Sequence, residues 1–122
     1  MFPFVSLGLC PEGGSTQLIP HMAGHVKAFE WLVLGQPCSA QEAAQCGLVN
    51  AVWPVDQLSD QVDRAVTRLA ALDPQAVQQS RRRLQLAAGK QLDVLMQAEM
   101  DLFESLLEGE AAQRALNAFV SR

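Results

Sequence analysis

The sequence predicts a mainly α-helical chain with one or two short strands. Three observations carry that reading. Apolar residues recur at helical spacing through most of the chain, and above all in its second half. Glycines and prolines fall between the periodic stretches, where helices start and stop. Only one short run, Leu48 to Trp53, is apolar and β-branched enough to read as a strand.

Taken in order, Pro3 to Leu9 is short and apolar and reads as one helical turn after a strand end. Thr16 to Ala23 reads as a short helix, capped by Ser15 or Thr16, in which Pro20 is acceptable only near the first turn. Gly24 punctuates. His25 to Leu34 is a second helix with Val26, Phe29, Leu32 and Val33 near one face, and Gly35 closes it. Phe29 and Trp31 read as core residues rather than stacking platforms for a ligand. Ser39-Ala40-Gln41-Glu42 has the form of a capping box, so a helix begins at Ala40, and Gly47 stops it. Leu48 to Trp53 follows as the strand, and Pro54 closes it.

From Asp56 the chain is helical. Leu58, Val62, Ala65, Val66, Leu69 and Leu72 form a stripe. Asp73-Pro74 breaks the chain and opens the next helix with proline at its first position. Ala76, Val77, Leu84 and Ala87 mark its apolar face, and Arg81-Arg82-Arg83 reads as a solvated face. Gly89 separates it from a longer helix, Gln91 to Leu107, whose apolar stripe is interrupted by Glu99. A carboxylate at such a place needs a partner, expected to be an arginine of this fold or of a neighbouring subunit, with a catalytic role for Glu99 as the less favoured alternative. Gly109 precedes a last helix, Glu110 to Val120, with Glu110 and Arg122 placed to suit its dipole.

The chain has 122 residues, enough for one domain with a buried core. Its net charge of −4 gives no electrostatic case for nucleic acid. No apolar run approaches a membrane span, and the N-terminus lacks the features of a signal peptide. Cys10, Cys38 and Cys46 form neither a metal spacing nor a disulfide pattern, which favours a reducing, cytoplasmic setting. His21 and His25 sit four apart, but with no third ligand in sight no metal site is expected.

The chemically distinctive stretch is Leu7-Gly8-Leu9-Cys10-Pro11-Glu12-Gly13-Gly14-Ser15-Thr16. It holds one carboxylate, Glu12, in a glycine-rich turn just ahead of a helix. Gly13 and Gly14 allow positive φ and a close approach to the backbone. On spacing alone the commoner reading is a solvated turn glutamate. A carboxylate partly desolvated by Leu7, Leu9 and Ile19 suits general-base chemistry instead.

Leu7 to Gln17 resembles the corresponding loop of the enoyl-CoA hydratase/isomerase (crotonase) superfamily. The likeness continues through Gly35-Gln36-Pro37-Cys38-Ser39-Ala40-Gln41-Glu42-Ala43 and Gly47-Leu48-Val49-Asn50-Ala51-Val52. It covers residues 2–60 well and the helical remainder loosely. Pro3-Phe4 together with Pro11-Glu12-Gly13-Gly14 is closest to the Δ3,Δ2-enoyl-CoA isomerase and chromodomain-Y-like branch, in which the acid/base glutamate stands where Glu12 stands. The hydratase branch has a glutamate after proline where this chain has Phe4.

The resemblance implies the C-terminal half of a crotonase-like α/β spiral fold with its helical oligomerisation region. Residues 1–55 would be the end of the core and 56–122 the helical region. It implies an acyl-CoA thioester as substrate and no further cofactor. Glu12 would be catalytic, with Phe4, Leu7, Leu9 and Gly13 against the substrate. A homo-oligomer is implied, a trimer or hexamer in full-length members. The oxyanion donors would lie in the other half, so this chain alone is expected to be inactive. Two other readings stand beside this one: a non-catalytic acyl-CoA-binding or oligomerisation module, and another crotonase-type enzyme such as a hydratase.

Overall fold

The computed structural model of the chain describes residues 2–87 and 90–120. Among them it is helical: a 3-10 turn at Val5–Leu7, then α1 (Ser15–Ala23), α2 (His25–Leu32), α3 (Ala40–Gln45), α4 (Val55–Ala70), α5 (Pro74–Ala87), α6 (Lys90–Leu107) and α7 (Glu110–Val120). The expected break at Gly89 and the charge of Arg122 lie outside the described residues.

The core forms where α1 and α2 meet. Ile19, Ala28, Trp31 and Leu32 are buried together, and Phe2, Phe4, Ala23, Cys38, Cys46 and Leu48 pack against them. Trp31 is its centre, only 1% exposed, with the Phe2 ring stacked at 6.3 Å and the Lys27 ammonium 5.8 Å from its ring. Phe29, expected in the core with it, is 46% exposed. Gly24 separates α1 from α2 at φ 80°, ψ 159°, a conformation that side chains disfavour, and the Gly24 amide still donates to the Pro20 carbonyl at 3.0 Å.

The capping box forms as its sequence requires. The Ser39 hydroxyl accepts the Glu42 amide at 3.1 Å, and the Glu42 carboxylate accepts the Ser39 amide at 3.0 Å. Glu42 also pairs with Lys27 at 2.8 Å, which ties α3 to α2. Asp73 caps α5 by accepting the Ala76 amide at 2.7 Å.

Three expectations need correction. Leu48 to Trp53 is not a strand, and no strand occurs among the described residues. A β-branched run becomes a strand only beside a partner that takes its backbone hydrogen bonds, and no described segment offers a ladder. Leu48 instead packs on the core, while Val49, Val52 and Trp53 are exposed. Pro20 lies in the interior of α1 rather than in its first turn. It removes the donor that the Thr16 carbonyl would otherwise meet, and the helix closes one turn later. Finally, α2 ends at Leu32, two residues early, with Gly35 at φ 66° in the loop beyond it.

The C-terminal helices behave unequally. α6 packs on α7, and α7 packs on the 3-10 turn. α4 buries none of its residues, and its stripe of Leu58, Val62, Val66 and Leu69 is 50–59% exposed. Arg81, Arg82 and Arg83 on α5 are exposed, as a solvated face requires.

Candidate active site

The loop that carries Glu12 is built from two glycine turns and held from the far end of the chain. In the first turn, the Leu9 amide donates to the Phe4 carbonyl at 2.9 Å and the Gly8 amide to the Val5 carbonyl at 3.0 Å. Gly8 takes φ 72° and lies directly on α7. A Cβ there would come within 2.9 Å of the Ala111 Cβ and the Ala112 nitrogen, so only glycine fits.

The second turn is Pro11 to Gly14. Gly13 and Gly14 have φ of 69° and 77°, and the Ser15 amide donates to the Glu12 carbonyl at 3.3 Å. Gly14 is the N-cap of α1 and has no side chain to supply an acceptor. Neither Ser15 nor Thr16 caps the helix, which corrects the expectation for them. The cap comes from α6. One carboxylate oxygen of Glu99 accepts the Gly14 amide at 2.6 Å; the other accepts the Thr16 amide at 3.2 Å and the Thr16 hydroxyl. Leu92 and Met96 of the same helix pack beside Gly14, where a Cβ would meet Leu92 at 2.9 Å.

Glu99 is 6% exposed and is the only buried charged side chain among the described residues. Its partner is therefore the positive end of a helix and not the arginine expected from the sequence. The interruption of the α6 stripe signalled that a partner had to exist. Nothing local could say which, because the contact spans 85 positions.

Glu12 is half-buried, and its carboxylate makes no hydrogen bond or ion pair with the described residues. Its neighbour Pro11 lines a cleft of about 250 Å³ together with Thr16, Pro20, His25, Ala28, Phe29, Leu32 and Val33. The walls are mostly apolar, with Thr16 and His25 as polar exceptions. Glu12, the next residue in the chain after Pro11, is not part of the cleft lining.

The other sequence candidates are distributed around the loop. Leu9 is buried, Leu7 half-buried and Gly13 exposed. Phe4 is half-buried and packs on the α1–α2 core. Backbone hydrogen bonds bring Phe4, Leu7 and Leu9 into one tight loop, with Glu12 and Gly13 in the next turn. Cys10 lies between them in sequence. Burial pushes its thiol above the usual range, and the negative charges of Glu99 and Glu12 add to that, so both carboxylates act on this one side chain. Among the described residues no helix is long and apolar enough to cross a membrane.

Comparison with known proteins gives a consistent result. The family model for enoyl-CoA hydratase/isomerase matches residues 1–122. A short-chain-enoyl-CoA hydratase of Clostridioides difficile is 35% identical over 101 residues, which are 83% of this chain and 65% of that protein. Enoyl-CoA delta isomerase 2 of Rattus norvegicus is 29% identical over 120 residues, 98% of this chain and 31% of that protein. Among solved structures, Pseudomonas aeruginosa OdaA superposes with a TM-score of 0.86 at 40% identity, covering 98% of this chain and 49% of OdaA. The chain thus spans only part of the length of the proteins it matches.

Proposed function

The chain belongs to the enoyl-CoA hydratase/isomerase family, and from that premise we propose that it is the C-terminal half of an enoyl-CoA isomerase that moves a 3-enoyl double bond to position 2. Residues 1–55 carry the reactive loop, and residues 56–122 form the helical region that assembles subunits into a trimer or hexamer. Three free cysteines favour a reducing, cytoplasmic setting.

Glu12 is the acid/base. Its carboxylate takes a proton from C2 of the acyl-CoA thioester. The C2–H electron pair spreads over the thioester carbonyl and the C3–C4 double bond. Glu12 then returns the proton to C4 as the C2–C3 double bond forms. One carboxylate serves both carbons, and no cofactor beyond the thioester is required. The negative charge that develops on the thioester oxygen needs preorganised N–H donors, each typically worth about 3–4 kcal/mol. These belong to the other half of the fold, so the present chain alone is inactive. Phe4, Leu7, Leu9 and Gly13 are the loop residues that would face the acyl group, although none of them lines the cleft beside Pro11.

The observation that carries this reading is a half-buried carboxylate, without a partner among the described residues, on a double-glycine turn whose Pro11 lines an apolar cleft. The test is the isomerase rate of the protein joined to its preceding half, with and without Glu12→Gln. A fall of about 10²–10⁴-fold is expected on loss of the general base. An unchanged rate would leave only a binding or assembly role.

A hydratase is the second reading, favoured by the name of the 35% identical relative. Phe4, where the hydratase branch has a carboxylate, weighs against it. Hydration of a trans-2-enoyl-CoA would establish it.

A further inference from the structure

Glu99 belongs to no part of that mechanism, yet it is the buried charge nearest the loop in the hydrogen-bond network: its carboxylate accepts only from the start of α1, and its backbone carbonyl accepts the Cys10 thiol at 3.9 Å. We propose that Glu99 is a positioning residue for Glu12: by accepting the Gly14 amide on one oxygen and the Thr16 amide and hydroxyl on the other, it locks the Pro11–Gly14 turn from which Glu12 projects. The proposal rests on the reading of Glu12 as the acid/base.

The chemistry of the contact is selective. All three partners are donors, and they approach both oxygens of one side chain. A carboxylate accepts on both sides, whereas an amide of the same shape must turn an NH2 group toward either the Gly14 N–H or the Thr16 N–H. The carboxylate charge also occupies the positive end of α1, where a helix favours an anion. Glu99 thereby takes the site that Glu12, two residues before Gly14, would otherwise be drawn to. That leaves Glu12 free of the α1 amides and open to a substrate proton. Other titratable groups on the surrounding elements are Cys10 in the loop, His21 on α1 (its Nδ1 on the Gln17 carbonyl), His25 on α2, and Asp93 and Asp101 on α6. None of them bonds to either carboxylate through its side chain among the described residues.

The geometry is also redundant in a way that points to the turn. Leu92 and Met96 of α6 also lie against Gly14, so Glu99 is not the sole contact of that helix with the turn. What Glu99 adds is direction: it fixes where the Gly14 and Thr16 amides point, and with them the exit angle of the preceding residues.

The test begins with this chain. In the wild type, a scalar coupling across the hydrogen bond is expected between the Gly14 amide nitrogen and the Glu99 side-chain carboxyl carbon; its absence overturns the assignment. In Glu99→Gln, hydrogen exchange at Gly14 and Thr16 is expected to quicken by about tenfold or more, while Ala28 in α2 and Val33 at its C-cap change far less. A uniform change across all four amides, or none, refutes a local role. In the protein joined to its preceding half, Glu99→Gln is expected to lower kcat by about 10- to 100-fold, the scale of a small misplacement of a reacting group. KM stays within about twofold, because Glu99 touches no substrate. A normal kcat alongside altered amides would show that the turn is held but does not position the base. The amide results stand whether or not Glu12→Gln abolishes isomerisation, so a failure here is distinguishable from a failure of the isomerase reading.

Discussion

The Glu99 carboxylate accepts the Gly14 amide at 2.6 Å across 85 positions of chain. Residues from opposite ends of the sequence therefore share one hydrogen-bonded unit at the start of α1. A stability prediction follows from the donors left behind when that unit is broken. Glu99→Leu continues the apolar stripe of α6, so burial alone would make it neutral or stabilising. The Gly14 and Thr16 amides would lose their acceptor, however, and an orphaned buried donor costs about 1–3 kcal/mol. The variant is expected to unfold at lower urea concentration than wild type. An unchanged or raised midpoint would show that the amides find water instead.

The glycines of the loop separate two costs. Gly13 has φ 69° and open space around a hypothetical Cβ, so Gly13→Ala bears only the left-handed backbone penalty, about 1–2 kcal/mol. Gly8 has φ 72° and the α7 backbone at 2.9 Å, so Gly8→Ala must also push α7 away. Gly8→Ala is expected to be clearly the more destabilising of the two in thermal or urea unfolding. Equal effects would mean that α7 yields freely.

Glu42 and Lys27 give a pH dependence of known sign. Hydrogen bonds from Lys27, then from the Ser39 amide and hydroxyl, hold the Glu42 carboxyl at about 2, below its ordinary 4.5. Its contribution is complete above about pH 4.5 and is lost as pH falls toward 2. Lys27 is held above its ordinary 10.5 by Glu42 and Glu30, so its contribution is present below that value and fades as pH rises beyond it. The difference in urea midpoint between wild type and Glu42→Gln should shrink between pH 5 and pH 2. Ser39→Ala removes the other half of the box and is expected to cost about 1 kcal/mol at neutral pH.

The α4 stripe predicts association. Leu58, Val62, Val66 and Leu69 lie on one exposed face of a helix that buries nothing. An open apolar face of this kind drives self-association. Sedimentation of the chain at rising concentration should depart from a monomer, and Val62→Glu with Val66→Glu should restore it. A monomer at all concentrations would show the stripe to be inert.

Local signals in the sequence were readable, and relational ones were not. The Ser39–Glu42 box, the Pro74 start of α5 and the Gly109 break are encoded within a few residues, and each appears in the structure. Leu48 to Trp53 has the composition of a strand, but a strand is a property of two segments, and no described segment pairs with it. Pro20 sits mid-helix because tertiary packing of α1 on α2 outweighs a single lost hydrogen bond. The loop around Glu12 could be located from its glycines and proline. The residue that holds it could not, because the periodicity of α6 marks Glu99 as anomalous and leaves its partner open.

The seat of Gly8 on Ala111 and Ala112 has a temporal consequence. During synthesis the segment bearing the acidic turn leaves the ribosome long before α6 and α7 exist to clamp it. Until those helices emerge, residues 8–16 have neither their lid nor their anchor. The loop therefore gains its packing against α7 and its hydrogen bonds to Glu99 only when translation reaches the closing helices.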